Sequence, residues 1–500
     1  MNKKKLTNNH GSPSNIKNIQ ECSIGIIGWN SPRFSESHQG FIDLLKNSIS
    51  TRHGNPFFFG ISGSLEGAHS QSNGKKQSLH YGLPSRDMIA DQIELIIYNE
   101  QLKGLLLIPW SINSLVGMLM ASARCNIPTL FLPQYSLWNS GINSFSYADY
   151  SLPLLLEVLG LTRIGTLESF AAQNKDNSEF AQWGSERILE MVKQNMSSRR
   201  FFSSAAFNNS LCVDLSLGGC TETVLHLSAI AQEADFTMPL SMVNELSKKV
   251  PQLVPQDKSG EFNLEEFEKW GGLNSLLSTL VSFLQPSPTS TGRNIVDIAK
   301  SSSHNRSNFK LNHTYGEQGS LGALTGSLAR DGALMRGSSL KKEWLSYSGP
   351  VKVFNSEDSL IEAIQSKKIK KGDILILRYC GPRGNPGMPA MSAPLEALRE
   401  KNLEESVAIL TDGRLKGTGN TPAIVHISPE AAVGSPLSII QDGDIVQWNF
   451  QEKSLNARLT DTEIRVRLSR WKEQEQRLQN SFLGRYSKYS SSSALGATLK

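Results

Sequence analysis

The sequence lacks the features that mark membrane, secreted and nucleic-acid-binding proteins. Its 500 residues contain no run of about 18 apolar residues, so we expect no membrane-spanning helix. Residues 1–20 are basic and polar without the apolar core of a secretory signal, and we expect them to form a disordered tail. The net charge of +5 includes no dense basic block outside that tail, which argues against a nucleic-acid interface.

Cysteine is also scarce. The five cysteines are odd in number and widely spaced, which favours reduced thiols in a cytoplasmic protein over a disulfide framework. No CxxC pair occurs, so the sequence offers no local clip for a metal or an iron–sulfur cluster. The cysteines are Cys22, Cys125, Cys212, Cys220 and Cys380.

The length and the order of the apolar segments predict two domains of different class. A chain of this size exceeds what one hydrophobic core supports. Strand-like and helical patterns alternate in the first part, which predicts a parallel sheet covered by helices, an α/β/α domain over residues 21–335. Beyond about residue 340, short strand-like runs alternate with Gly and Pro turns, which predicts a β-rich second domain over residues 336–500.

The longest distinctive motif spans Ala408–Asp444 and reads AILTDGRLKGTGNTPAIVHISPEAAVGSPLSIIQDGD. Five further segments follow the same collinear pattern: LHYGLPSRDMIADQIE from Leu79, GMLMASARCNIPTLFLP from Gly117, DLSLGGCTETVLHLSAIAQEA from Asp214, YCGPRGNPGMPAM from Tyr379 and YSSSSALGA from Tyr489. From about residue 22 to its end, the chain resembles the dihydroxy-acid dehydratase and phosphogluconate dehydratase family.

This resemblance implies a fold, an activity and two cofactors. The fold would be an N-terminal parallel-sheet α/β/α domain followed by a barrel-like β-rich domain. Family members dehydrate a vicinal diol acid to a 2-keto acid and look like homodimers. A cluster bound by three cysteines takes up the charge of the leaving hydroxide, while a magnesium ion held by carboxylates and a modified lysine binds the substrate carboxylate. A serine alkoxide removes the proton.

The chain departs from the family at the positions that would bind these cofactors. Hydroxyl, alkyl and amide side chains are poor ligands for a cluster that requires thiolates or for a magnesium ion that has lost its carboxylates. We therefore predict a protein without a cluster or a metal, and without the standard dehydration. The cysteine positions correspond to Ser35, Ser111 and Asn143, and the magnesium-site positions to Ile112, Asn113, Cys380, Ala390 and either Gly63 or Ser64.

Three residues are the candidate catalytic groups. Lys416 stands where the family carries its proposed catalytic serine, and a lysine in an apolar pocket can act as a base, form a Schiff base or hold an anion. The alternative is that Lys416 faces solvent on a glycine-rich loop. Cys380 is either an activated thiol or a small buried residue. Glu222 replaces a family asparagine and would form an ion pair with Lys416 if buried nearby.

Substrate-binding residues are predicted on the same loops and on one further loop. Asp412 and Arg414 form part of the unchanged DGR motif, with a structural Asp–Arg pair as the alternative. For Cys220, as for Cys380, the alternatives are a reactive thiol and a buried, inert one. His226 is interpreted as a core histidine whose hydrogen bonds are satisfied. The predicted substrate-binding set is Cys220, Thr221, Asp412, Arg414, Arg383 and His69, with His426 as a further candidate.

Two functions follow from this sequence. The first is a diverged, metal-free lyase or isomerase that acts on a small polar hydroxy or amino acid in a specialised biosynthetic route. The second is a catalytically dead protein, either with a binding or regulatory role or as the non-catalytic partner of an active paralogue. In both cases we expect a small anionic or polar ligand, a homodimer or such a heterodimer, no nucleic acid and no membrane.

Overall fold

The computed structural model describes most of the chain. The described residues are 22–29, 36–63, 79–134, 147–167, 177–254, 264–302, 309, 315, 320–338, 340–473 and 480–500. The predicted tail over residues 1–20 lies outside them, as do Ser35, Ser64, His69 and Asn143.

The first part of the chain contains a four-stranded sheet in which every pairing is parallel. Its three strands other than the edge strand β2 are almost wholly apolar and buried, as expected for a parallel sheet with both faces covered. The strand order is β2–β1–β3–β4, with β1 at Ser23–Trp29, β2 at Asn55–Ile61, β3 at Gly104–Leu107 and β4 at Thr129–Phe131.

Helices connect these strands and continue the chain as far as residue 301. The helix after β2 begins at Gly82, and the Ser85 hydroxyl in its first turn donates to the Gly82 carbonyl at 2.7 Å. The helices are α1 Glu36–Ser50, α2 Gly82–Glu100, α3 Ile112–Cys125, α4 Tyr147–Val158, α5 Asn177–Lys193, α6 Ser204–Ser216, α7 Thr221–Glu233, α8 Leu240–Ser247, α9 Leu264–Lys269, α10 Gly272–Thr279 and α11 Ile295–Ser301.

An eight-stranded mixed sheet forms the rest of the chain. Four neighbouring strands, β7, β8, β10 and β12, are parallel, and the outer pairings are antiparallel. The order is β14–β13–β7–β8–β10–β12–β6–β5, with β5 Leu321–Leu324, β6 Gly332–Arg336, β7 Ser346–Phe354, β8 Ile374–Leu377, β10 Ala408–Thr411, β12 Ala423–Ser428, β13 Ile445–Asn449 and β14 Ser454–Ala457. A separate two-stranded sheet pairs β9 Ala390–Met391 with β11 Arg414–Leu415, and the helices here are α12 Lys342–Leu345, α13 Glu357–Gln365, α14 Ala393–Glu400, α15 Asp461–Arg470 and α16 Phe482–Tyr489.

The two ends of the eight-stranded sheet meet and nearly close it into a barrel. A bridge joins Thr325 to Ser454, and the Ser327 amide donates to Asn456 Oδ1 at 2.8 Å. Gly326 lies at this seam with φ of +155°, and a Cβ there would come within 2.2 Å of the Leu455 carbonyl oxygen. Only glycine has the backbone freedom and the space that this closure requires.

This architecture confirms the predicted fold class, a parallel-sheet α/β region followed by a barrel-like β-rich region. Strands β5 and β6 belong to the barrel sheet although they begin before residue 336. The domain ranges 21–335 and 336–500 stay a prediction. Within the part of the chain that is described, no helix has the length and apolar character needed to cross a membrane.

The last residues of the chain, which we call the C-terminal strap (residues 490–500), pack against helices of the first region. The buried Arg86 on α2 donates from Nη2 to the carbonyl oxygens of Gly496 and Ala497, at 2.8 and 3.0 Å. The Leu499 amide donates to Asp87 Oδ1 at 2.9 Å. Burial raises the pKa of Asp87 to about 6. One guanidinium and one carboxyl group on α2 therefore hold the strap.

Replacing Arg86 by leucine is expected to lower the free energy of unfolding by about 3 kcal/mol, because the strap carbonyls would remain buried without a donor. Urea unfolding measures the change. Arg330, which is exposed, provides the matched control, since Arg330→Leu is expected to change stability by no more than about 0.5 kcal/mol. Equal losses in the two variants would contradict a structural role for the buried guanidinium.

Candidate functional site

Two loops from different parts of the fold approach each other at the beginning of α7. The helix starts at Thr221, after Gly218 and Gly219, whose φ angles of +118° and +73° turn the chain sharply. The turn after β10 leads into β11 and ends at Arg414. Arg414 Nη1 lies 3.5 Å from Glu222 Oε1, in the first turn of the helix. This ion pair brings together one predicted catalytic residue, Glu222, and one predicted substrate-binding residue, Arg414.

Arg414 is deeply buried for a charged residue, with 4% of its side chain exposed. Its Nε donates to the Met388 carbonyl at 2.7 Å, which fixes the plane of the guanidinium. Within the described chain, its Nη2 has no hydrogen-bond partner. Buried polar groups are nearly always hydrogen-bonded, so this donor is an exception that points to a binding site for an acceptor group.

His226 lies one turn after Glu222 on α7, and it is neutral. Its Nδ1 is 3.0 Å from Arg86 Nη1. A guanidinium can only donate, so Nδ1 accepts and the ring proton is on Nε2. Burial lowers the pKa of His226 well below its usual value, and the charges of Arg86 and Arg414 lower it further.

His426 is a second neutral imidazole near Arg414. Burial, and then the charge of Arg414, lowers the pKa of His426 to about 3. Its Nε2 is buried without a hydrogen-bond partner in the described chain. The residue has a φ of +56° and lies where the pairing of β12 with β6 shifts register. His426 therefore combines a strained backbone with a position close enough to Arg414 to feel its charge.

The interpretation of His226 as a satisfied core histidine agrees with its burial and its bond to Arg86. Arg86 was not among the residues predicted for the site, although its guanidinium donates to His226. The sequence does contain a signal that places His226 beside Glu222. The two residues are four positions apart on one helix, and residues with that spacing share a face. Nothing in the sequence links Arg86 to that face.

The side chains of Asp412 and Arg383 are hydrogen-bonded to backbone groups. Asp412 Oδ1 accepts from the Cys380 amide at 2.8 Å, and Oδ2 accepts from the Ala431 and Tyr379 amides at 2.9 and 3.2 Å. Arg383 donates from Nε and Nη2 to the Ser490 carbonyl at 3.1 and 3.0 Å. These contacts favour structural roles, and the Asp412 partners are amides rather than the Arg414 side chain. Their substrate-binding roles stay predictions.

Glu430 is a further buried carboxyl group near Asp412. Its Oε2 accepts from the Gly384 and Arg383 amides, at 2.9 and 3.1 Å, so it joins the loop after β8 to the loop after β12. Burial, and then the charge of Asp412, raises the pKa of Glu430 to about 7. The carboxyl group of Glu430, which joins these two loops, therefore changes its protonation state near neutral pH.

The two predicted thiols are buried, and Lys416 is not. Cys220 is the residue before α7, where burial raises the pKa of its thiol to about 12. Burial also raises the pKa of Cys380 well above its ordinary value. Both thiols are therefore protonated and poor nucleophiles at neutral pH. The Lys416 side chain is exposed, which favours the solvent-facing alternative over a base in an apolar pocket.

The positions predicted to have lost the cofactor ligands show how their new residues are used. Ser111 caps α3, and its Oγ accepts from the Ser114 amide at 3.2 Å. Ile112 begins the helix, and Asn113 is buried within it. Among the described residues, no three His, Cys, Asp or Glu side chains are placed to hold a metal ion.

Comparison with known proteins places the whole chain in one group. The model described as dihydroxy-acid/6-phosphogluconate dehydratase N-terminal matches residues 29–137 and 134–298, and the corresponding C-terminal model matches residues 309–497. A dihydroxy-acid dehydratase of Thermodesulfovibrio yellowstonii is 34% identical over 91% of this chain and 90% of its own length. Dihydroxy-acid dehydratases of Endomicrobium trichonymphae and Caldanaerobacter subterraneus are each 32% identical, over 91% and 92% of this chain and 90% of their own lengths.

Alkylation tests the state of the thiols. At pH 7.5, iodoacetamide is expected to leave Cys220 and Cys380 unmodified in the folded protein, because only a thiolate reacts and burial keeps both groups protonated. Peptide mass mapping gives the labelled fraction, and the urea-unfolded protein is the control in which all five cysteines react. Rapid labelling of Cys380 in the folded protein would restore the reactive-thiol interpretation.

The raised pKa of Glu430 predicts a pH-dependent contribution to stability. Its folded pKa of about 7 exceeds the unfolded value of about 4.3, so the contribution is fully present below about pH 4 and is lost as the pH rises through 7. Relative to Glu430→Gln, the wild type is expected to lose about 3 kcal/mol of unfolding free energy between pH 4.5 and 7.5. Urea unfolding at both pH values measures this difference. A difference that does not change with pH would show that Glu430 titrates normally.

Proposed function

Because this chain belongs to the dihydroxy-acid/6-phosphogluconate dehydratase family, we propose that it acts as a dehydratase-type lyase on a small hydroxy or amino carboxylic acid. The carboxylate of that acid is bound by Arg414. The unpartnered, buried Nη2 of Arg414 carries the proposal. A guanidinium binds a carboxylate through two parallel hydrogen bonds, and a buried one does so with little competition from water.

Family membership also corrects the prediction of a protein without cofactors. Relatives 30–34% identical over about nine tenths of the chain are dihydroxy-acid dehydratases, a family that uses an iron–sulfur cluster and magnesium, so that prediction is wrong. The described residues at the corresponding positions, Ser111, Ile112, Asn113 and Cys380, do not fit the thiolate and carboxylate donors such groups need. No step is therefore derived through either group.

The residues around Arg414 orient the acid rather than react with it. His226 carries its proton on Nε2 and stays neutral, and the neutral His426 adds a second imidazole. Because both rings are uncharged, neither competes with Arg414 for an anion. Glu222 supplies the carboxylate paired with the guanidinium, with Oε1 3.5 Å from Nη1. The catalytic roles of Lys416 and Cys380 stay predictions.

A non-catalytic binding protein is the second candidate. It is favoured by the buried, protonated thiols and by the exposed Lys416, because these groups were the proposed acid–base machinery. The binding site at Arg414 would be the same, and an active paralogue in a heterodimer would supply the chemistry. The homodimer, the heterodimer and the cytoplasmic location also stay predictions.

Binding and turnover of small acids test the two candidates together. The protein is purified anaerobically and assayed both as isolated and after treatment with iron, sulfide and magnesium. Affinities for 2-hydroxy, 2,3-dihydroxy and 2-amino acids of two to five carbons are measured by calorimetry, and NMR detects loss of water or formation of a 2-keto acid. Arg414→Gln is expected to weaken binding about 10- to 100-fold, because a charge-assisted pair is lost.

Arg330→Gln, at an exposed position, is the matched control and is expected to bind as the wild type does. Binding with turnover supports the lyase, and binding without turnover under either condition supports the binding protein. Unchanged affinity in Arg414→Gln would overturn the assignment of the carboxylate to this arginine.

A further inference from the structure

The ion pair of Arg414 and Glu222 is incomplete on both sides. Arg414 Nη2 has no partner among the described residues, and the 3.5 Å separation of Nη1 from Glu222 Oε1 exceeds the usual hydrogen-bond range of about 2.7–3.2 Å. Within the same part of the structure, the Glu222 carboxylate accepts no hydrogen bond. Its side chain is 17% exposed, so the group is shielded from water without being sealed off. Two opposite charges therefore stand together with unused hydrogen-bonding capacity.

Neighbouring charges do not complete the pair. Arg86 is committed to the strap carbonyls and to His226, and both imidazoles are neutral. Asp412 is occupied by three backbone amides. The charged groups that remain for a ligand are one guanidinium donor and one carboxylate acceptor.

We infer that Arg414 and Glu222 together recognise the zwitterion of a small α-amino acid, with Arg414 binding the carboxylate and Glu222 binding the ammonium group. This inference rests on the proposed carboxylate site at Arg414 and specifies the substrate class. An amino acid supplies an anion and a cation two bonds apart, which matches a cation and an anion that already lie side by side.

Charge balance separates this ligand from a dihydroxy acid. Arg414 and Glu222 sum to zero, so a hydroxy acid would bring an uncompensated negative charge into a largely buried site beside Glu222. An amino acid adds no net charge and gives each fixed group an opposite partner. The family motif has asparagine at this position, and an amide lacks the charge that favours an ammonium over a hydroxyl. Glu222 is therefore the residue that sets the specificity.

Matched ligand pairs test the inference, since each pair differs only in an ammonium or a hydroxyl at C2. Glycine and glycolate, alanine and lactate, serine and glycerate, threonine and 2,3-dihydroxybutanoate, and valine and 2-hydroxyisovalerate are titrated calorimetrically into the full-length wild type and Glu222→Gln. The wild type is expected to bind the best amino acid at least tenfold more tightly than its hydroxy counterpart. In Glu222→Gln this ratio is expected to fall to about one or to invert.

The variants also separate failure of this inference from failure of the proposed function. Arg414→Gln is expected to lose affinity for both members of a pair, and circular dichroism with urea unfolding verifies that each variant is folded. Equal binding of both members by the wild type, or an unchanged ratio in Glu222→Gln, overturns the zwitterion site and leaves the carboxylate site at Arg414 intact. If no acid binds, or if Arg414→Gln has no effect, both proposals are overturned.

Discussion

The buried guanidinium of Arg86 connects the parts of the fold that form the candidate site. It contacts its own helix through Leu83, helix α7 through His226, and the strap through Gly496 and Ala497. The strap in turn contacts the end of β12, where Ser493 Oγ lies 2.7 Å from Ser428 Oγ. One side chain thus joins the helical region to the barrel and also fixes the tautomer of a histidine beside Arg414. A buried cation is stable there because every one of these acceptors is directed toward it.

The retained motif segments act mainly as a scaffold of carboxylate-to-amide hydrogen bonds. Asp412 gathers amides from the loops after β8 and β12, and Glu430 gathers the amides of Arg383 and Gly384. These bonds need only an Asp and a Glu in fixed turns, whatever chemistry takes place beside them. The loops are therefore held in place independently of the side chains of Lys416, Cys380 and Glu222 beside them. The likeness of a motif to that of the family therefore says more about loop geometry here than about the reaction.

Much of the fold could be predicted because its signals are local. The apolar strands β1 and β3 and the short strands of the barrel show directly in the sequence, and the collinear motifs specify how they are joined. The exposure of Lys416 and the partners of Arg86 could not be predicted in this way. Arg86 and Ala497 are 411 positions apart, and only packing reveals which acceptor a buried cation finds. The prediction that the protein has no cofactors was wrong. It relied on the identities of a few single residues, whereas the relationship to the family extends over nearly the whole chain.

The seam of the barrel has a consequence for how the chain folds. Ser327 and Asn456, which join across it, are 129 positions apart, whereas β7 and β8 pair after a single crossover helix. The entropy cost of closing so long a loop must be overcome before the contacts at the seam can stabilise the fold. We therefore expect pairing of the central parallel strands to precede ring closure, so that until Gly326 packs against Leu455 the barrel region is an open sheet with two unpaired edges. Such edges can pair with other chains, so the period before closure is when a crowded nascent chain is most exposed to aggregation.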